Sequence, residues 1–308
     1  MSVRPSIPGL AREEAWPALP LAAWVETRDT LHMWTQIVGK LRLALSPRLN
    51  HWWEVPLYVS ARGLTTSAIP YQSGIFEAEF DFLAHVLRLT TSRGEMRTID
   101  LAPRTVADFY AEFLATLAGL GIDRRIWPVP VEIASPIRFD RDTQHASYDP
   151  EYARRFWHIL ISVDTILKQF RARFIGKASP VHFFWGSFDL AATRFSGRRA
   201  PERPDADSVT REAYSHEVSS AGWWPGGGEI TSPMFYAYAA PEPAGFRKAA
   251  IRPPAASYHS QLREFLLPYD EVRQASDPPT VLLEFLQSSY EAAAVLGSWD
   301  RAALERQS

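Results

Sequence analysis

The sequence predicts an α+β fold: largely antiparallel sheet flanked by helices. Three observations carry it. Strand-like segments cluster along the chain instead of alternating with helices. One of them, residues 76–89, alternates apolar and polar residues at period two, as a half-buried strand does. The intervening helical segments carry wide apolar stripes at helical spacing.

The elements follow in order. Residues 1–20 are punctuated by proline and read as coil. Residues 27–45 form the first helix, with Thr27 or Asp29 as its cap and Pro47 beyond its end. Leu31, Trp34, Val38, Leu41 and Leu45 make its buried stripe. His32, Gln36 and Lys40, spaced i, i+4 and i+8, share another face. Residues 55–61 form a short apolar strand, after which Gly63 turns the chain. In 76–89, Phe76, Ala78, Phe80, Phe82, Ala84 and Val86 point one way; Glu77, Glu79, Asp81, Leu83 and His85 point the other. Residues 92–95 turn the chain, and 96–101 return as a hairpin partner. Residues 105–120 are the second helix, ended by Gly119 and Gly121. The prolines of 128–133 suggest an edge strand.

Residues 136–150 are a loop. Pro150 opens the longest helix, to about Phe174, with Phe156, Ile159, Leu160, Val163, Leu167 and Phe170 on its core face. Residues 181–195 read as one strand, 234–239 as another, and 264–267 as a short one. A last helix runs over about 279–296. The Gly-, Pro-, Arg- and Asp-rich stretch 196–233 is longer than a plain connection needs, and such loops commonly carry function. No internal repeat is present. The expected organisation is an N-terminal coil over 1–15 and one unit over 16–303, whose two halves meet near 136–150.

Composition excludes several classes. The chain has 308 residues, with 33 Lys+Arg against 35 Asp+Glu, so it presents no general field for nucleic acid or an anionic membrane. It has no cysteine, hence no disulfide, thiolate nucleophile or iron–sulfur cluster. No stretch approaches the ~20 apolar residues of a membrane span, and the N-terminus lacks the apolar core of a secretory signal. A soluble, cytoplasmic protein is expected. Arginine far outnumbers lysine, which with many Ala and Pro points to a GC-rich bacterial source.

Chemistry-bearing residues concentrate in three places. Ser179–Leu190 places Trp185 and Asp189 in an aromatic strand, with Arg194 and Arg198 following; polar groups there need partners. Asn50, His51, Trp52, Trp53 and Glu54 follow the first helix and suit a cleft wall, with flat faces for a ring and edges for hydrogen bonds. Tyr214–Val218 and Gly222–Gly228 bring His216, two tryptophans and a glycine run, read as a lid. No Lys-Ser/Thr follows those glycines, so there is no P-loop. No HExxH, His-x-His or G-x-S-x-G is present, so neither a metal site nor a serine hydrolase is expected. Glu79 and Asp81 share a strand face, which alone is weak support for glycoside hydrolysis.

The segments 16–20, 30–40, 50–53, 179–190 and 214–217 also resemble a bacterial family, domain-of-unknown-function family 5996. The resemblance covers about Trp16 to Arg301. It implies a single family-length unit and brings no activity, cofactor or catalytic residue.

From the residues, the first reading is an enzyme on a small polar or ring-bearing, sugar-like metabolite. His51, His182 and Asp189 are its catalytic candidates, since histidine titrates near neutral pH. His32, Gln36, Lys40, Asn50, Trp53, Trp185, Arg194, Arg198 and His216 are its ligand-binding candidates. The alternatives are a non-catalytic small-molecule binder, and a partner-binding protein whose tryptophans are core. Trp34, Trp157 and Trp299 fall on helices and read as core; Trp52, Trp53, Trp185, Trp223 and Trp224 carry the functional expectation. No cofactor and no oligomeric state are indicated.

Overall fold

The computed structural model describes residues 11–306 and is α+β. Its strands fall into two antiparallel six-stranded sheets with helices packed against them. The first sheet holds β1 (Tyr58–Val59), β2 (Gly63–Thr65), β3 (Ile69–Tyr71), β4 (Gly74–Asp81), β5 (Val86–Thr91) and β6 (Met96–Asp100), in the order β1-β2-β4-β5-β6 with β3 also on β4. The second holds β7 (His182–Phe184), β8 (Asp189–Arg199), β9 (His216–Trp224), β10 (Met234–Ala240), β11 (Ser257–His259) and β12 (Glu264–Pro268), in the order β11-β12-β10-β9-β8-β7. The helices are α1 (Arg12–Ala15), α2 (Leu21–Leu45), α3 (Val106–Gly119), α4 (Pro150–Ala172), α5 (Ser208–Ala213), α6 (Tyr269–Arg273), α7 (Pro278–Leu296) and α8 (Arg301–Leu304).

Aromatic packing joins these layers. Trp34 of α2 stacks on Phe109 of α3 at 4.7 Å, and Phe156 of α4 stacks on Phe188 at 5.1 Å. Trp34, Phe80, Phe156 and Trp223 belong to one buried cluster that draws on both sheets. The edges of the two sheets also touch: Leu57 and Phe183 exchange a pair of 2.9 Å backbone hydrogen bonds.

Several elements differ from the sequence expectation, each for a physical reason. α2 begins at Leu21, six residues early, because Leu21 and Trp24 extend its buried stripe. The 76–89 run is a hairpin, not one strand. Asp81 Oδ1 accepts from the amides of Leu83 and Ala84, and His85 takes a positive φ. Phe82 stays buried in the turn, so the alternation never reveals the break. Residues 181–195 likewise fold at Trp185–Phe188: Phe188 N donates to Phe184 O at 2.8 Å, with Phe188 at φ 60°. The 55–61 strand shrinks to Tyr58–Val59, Gly63 opens β2 instead of a turn, and 128–133 form no strand. The expected 1–20 coil lies in part outside the described residues; within them 12–15 are helical. Trp299 follows α7 and is not within a helix.

The largest correction concerns 196–233. Much of it is sheet: β8 runs to Arg199, and β9 is a central strand. The Val218–Gly222 run is built of small residues, which resemble loop composition but suit a strand covered on both faces. Trp223 is fully buried there, so the tryptophans do not form a lid.

Each side of the second sheet has its own character. Leu190, Trp223, Phe235 and Leu267 stand in register on the core side. Arg194 shares that side. Its guanidinium lies 3.4 Å from the Phe170 ring centroid and 4.2 Å from that of Tyr290, and it donates to the Phe170 carbonyl. Burial lowers its pKa to about 9. Arg198 instead holds Glu217 at 2.7 Å and donates to the Gly297 and Ser298 carbonyls at the end of α7. Neither arginine reaches the opposite side, which carries Asp189, Ala191 and Thr193 of β8, Ser220 and Gly222 of β9, Tyr236 and Tyr238 of β10, and Glu264 of β12.

On the first sheet, Asp81 and Glu79 are paired with arginines. The Asp81 carboxylate is fully covered and accepts from Arg62 Nε and Arg88 Nη2, each at 2.6 Å, while Arg88 also bridges Glu79. Burial opposes its ionisation, but the Arg62 bond, the turn amides and Arg88 outweigh burial and hold its pKa at about 2. A depressed carboxyl contributes stability above its unfolded value and loses it as pH falls. Asp81 should therefore contribute roughly 2 kcal/mol near neutrality, fading between about pH 4 and 2. Urea unfolding at pH 6 and pH 3 should show this loss in the wild type, and a smaller pH dependence in Asp81→Asn.

Candidate functional site

The open side of the second sheet is organised around a missing side chain. Gly222 lies in β9, between Ala191 of β8 and Tyr236 of β10. A Cβ there would collide with the Leu190 carbonyl and lie 2.6 Å from the Tyr236 hydroxyl oxygen. Glycine thus lets the Tyr236 phenol cross β9 and donate to Asp189 on β8. Ser187 donates to the other Asp189 oxygen. Burial raises the Asp189 carboxyl, and the two hydroxyls pull it back in part. Burial and the Asp189 charge push the Tyr236 phenol well above its usual range.

Two further carboxyls feel Asp189. Glu264 is pushed up to about 7, first by burial and then by Asp189. Glu132 is raised by the same two causes, and its carboxylate lies against Gly186, where a Cβ would collide with it. Among the described residues none of the three carboxyls forms a salt bridge. Tyr238 stacks beside Tyr236 at 6.2 Å, and its hydroxyl pairs with that of Tyr214 at 2.9 Å. Tyr236, Tyr238 and Glu264 are half-buried, Ser187 is exposed, and Glu132 is exposed as a residue while its carboxylate is turned in against Gly186, so solvent reaches this group.

The polar face of α2 holds the group in place. His32 Nε2 donates to the Gly186 carbonyl at 2.9 Å, which fixes the turn between β7 and β8. Burial lowers the His32 pKa to about 4, so the ring is neutral. Gln36 exchanges two bonds with the Val131 backbone, at 2.9 and 2.8 Å, which fixes the loop that carries Glu132. Trp185 packs on Gly39, where any Cβ would strike its ring, and donates to Val55 O at 2.9 Å. The Lys40 ammonium sits 5.7 Å from the Trp185 ring centroid. It is 5% exposed and makes no salt bridge among the described residues; burial lowers its pKa to about 8.

The remaining expected residues form a second group on the same side of the sheet. His51, at φ 59°, points Nδ1 at the Glu212 carbonyl (3.1 Å), while Lys177 Nζ donates to its Nε2 at 2.7 Å. Trp53 lies 5.4 Å from the His51 ring and 6.0 Å from that of His182. His182 is fully buried with no hydrogen-bond partner on either nitrogen; burial, then the Arg42 charge, lower its pKa to about 3. His216 lies 5.7 Å from His51. Asn50 is exposed at the head of this turn. Between the groups, Trp53, Tyr214 and Tyr238 pack around Phe195, Val218 and Ala240.

The structure thus brings His32, Gln36, Trp185 and Asp189 to one region, with Lys40 on the Trp185 ring. It gathers His51, Trp53, His182 and His216 in another, and places Arg194 and Arg198 in neither. Sequence reasoning missed Glu132, Tyr236, Tyr238, Glu264 and Lys177. The one available signal was the Tyr-Ala-Tyr alternation of 236–238, two large phenols on one side of a strand whose second half is otherwise alanine. A surface cleft of about 440 Å³ lies elsewhere, along Tyr110, Leu114, Ile122, Arg124 and Arg138. Among the described residues no three His, Asp or Glu are placed to hold a metal ion, and no helix is long and apolar enough to cross a membrane.

These features define an antiparallel α+β protein with a carboxyl- and tyrosine-lined sheet face. By its match over residues 16–306, the chain belongs to DUF5996, a family of unknown function. No curated protein and no solved structure matches it.

The Gly222–Tyr236–Asp189 arrangement has a direct test. Gly222→Ala should destabilise the protein by roughly 1–3 kcal/mol through overpacking. Tyr236→Phe should cost about 1 kcal/mol and raise the Asp189 carboxyl further, since one donor to the ionised form is lost. Urea unfolding and a carboxyl-carbon NMR titration read the two effects.

Proposed function

We propose that the open side of the second sheet is an acid–base site for a small polar metabolite bearing hydroxyl groups on a ring. The observation that carries this reading is the Glu264 carboxyl, pushed up to about 7 by burial and by the charge of Asp189 on the same side of the sheet, with neither carboxyl in a salt bridge among the described residues. A carboxyl whose pKa lies near the working pH is suited to giving and taking a proton. The stacked Tyr236 and Tyr238 rings supply a flat surface, and Ser187, Glu132 and the tyrosine hydroxyls supply donors and acceptors for ligand hydroxyls. In this reading Glu264 donates the proton, Asp189 orients a hydroxyl, and His32 and Gln36 act as positioning residues through the segments they hold.

A thermal-shift screen of sugars and other cyclic polyols tests the site. Ligands that raise the melting temperature should lose that effect in Asp189→Asn and Glu264→Gln, with both variants still folded. Glu264 is protonated below its raised pKa, so activity that needs the acid should fall as pH rises through about 7. Glu264→Gln should abolish that inflection. Binding without turnover, with the same residue dependence, would establish the non-catalytic alternative. Stabilising ligands that act equally on both variants would remove the site from consideration.

A further inference from the structure

The second group of side chains has a different chemistry, and it does not rest on the acid–base reading. We propose that His51, Lys177 and His216 bind a dianionic oxyanion of the phosphate type, with the face of Trp53 beside it to take a ring attached to that group.

Lys177 and His216 are the charged neighbours that act on His51; Lys177 and Arg199 are those that act on His216. All of these are basic. Arg199 is the cross-strand partner of His216. The carboxylates on the neighbouring segments are engaged elsewhere: Glu212 by Arg48 at 3.0 Å, with Arg48 in turn 4.3 Å from the Trp52 ring centroid, Glu217 by Arg198 at 2.7 Å, and Glu54 by the Leu49 amide at 3.0 Å. Basic groups crowded without a counter-charge are held at an electrostatic cost that a bound anion removes.

Hydrogen bonding points the same way. Nδ1 of His51 faces a carbonyl, which only accepts, so Nδ1 carries the proton and Nε2 accepts from Lys177. That bond uses one of three ammonium hydrogens. Ser215 Oγ gives its own proton to the Glu212 carbonyl at 2.8 Å, so His216 Nδ1 donates to it at 3.1 Å; Nε2 of His216 has no partner among the described residues and becomes a donor once the ring is protonated. Two hydrogens of the Lys177 ammonium are therefore not spent on His51, and an anion that protonates His216 gains a third donor. A second, independent observation lies beside Trp53. His182 is fully buried with both ring nitrogens unsatisfied, 6.0 Å from Trp53, and the buried Trp52 Nε1 is unsatisfied as well. Buried polar atoms are rarely left so. Trp53 remains half-exposed, with Lys177 Nζ 5.4 Å from its ring centroid, so a ring laid on it would keep its anionic substituent within reach of the ammonium.

Inorganic phosphate is the first probe, read by the imidazole carbon-bound protons of His51 and His216 in NMR. Both sets of resonances should shift saturably with phosphate at constant ionic strength, and the titration midpoints of both histidines should rise, because the anion favours their protonated forms. Lys177→Met and His216→Gln lie at accessible positions; each should weaken phosphate about tenfold, the equivalent of one charge-assisted hydrogen bond, while the melting temperature is kept. Phenyl phosphate distinguishes the source of the anion. Tighter binding than inorganic phosphate, lost in Trp53→Leu, identifies a phosphorylated ring compound; equal binding identifies the free anion. Resonances that move no more in phosphate than in matched chloride, or phosphate binding that survives in the Lys177/His216 double variant, would overturn the proposal.

Discussion

Two irregular backbone segments depend on one helix face for their hydrogen bonds. The turn between β7 and β8 gives its Gly186 carbonyl to His32, and the loop at Val131 gives both its amide and its carbonyl to Gln36. Backbone groups removed from water must be paired, and neither segment has a strand neighbour to pair with. α2 therefore acts as a substitute strand edge, built from side chains. From Thr30 to Leu41 nearly all its other residues are buried, with Trp34 on Phe109 and Gly39 under Trp185. The same helix thus fixes the layers to each other and sets where Glu132 and Asp189 stand.

Glycine has the complementary role. At 39, 186 and 222 the absent side chain makes room for an indole, a carboxylate and a phenol. In each case the incoming group is large, and it ends near the carboxyl group or near the segments that hold it. Those close approaches explain why a central strand tolerates a residue of poor strand propensity at 222.

The fold class could be read from the sequence because it depends on patterns that repeat: stripes in the helices and alternation in the strands. Breaks in those patterns could not. Phe82 and Phe188 are buried in turns, so their apolar character continues the strand signal through the bend. β9 was hidden for the opposite reason, since a strand buried on both sides by close neighbours needs small residues, and small residues look like loop. The site was half visible. His32, Gln36, Trp185 and Asp189 stand out by type, but Glu264 and Tyr236 are 75 and 47 positions from Asp189 in the chain. Only strand order brings them to it. Arg194 shows the converse: its alternation parity sends it to the core side, and residue type alone carries no such information.

The open side of the second sheet has a direction that the whole-chain charge conceals. Asp189 begins β8, with Glu132 and Glu264 within its influence; Phe195, six residues on, lies beneath Lys177 and against His51. At strand rise this is roughly 20 Å. Negative and positive ends thus face the same solvent, and a formal charge of -2 is in part a cancellation between them. A molecule approaching this face meets a gradient of potential, not a uniform surface. An anion of the kind proposed for Lys177 and His216 would be drawn to that end of β8 and kept from the Asp189 end.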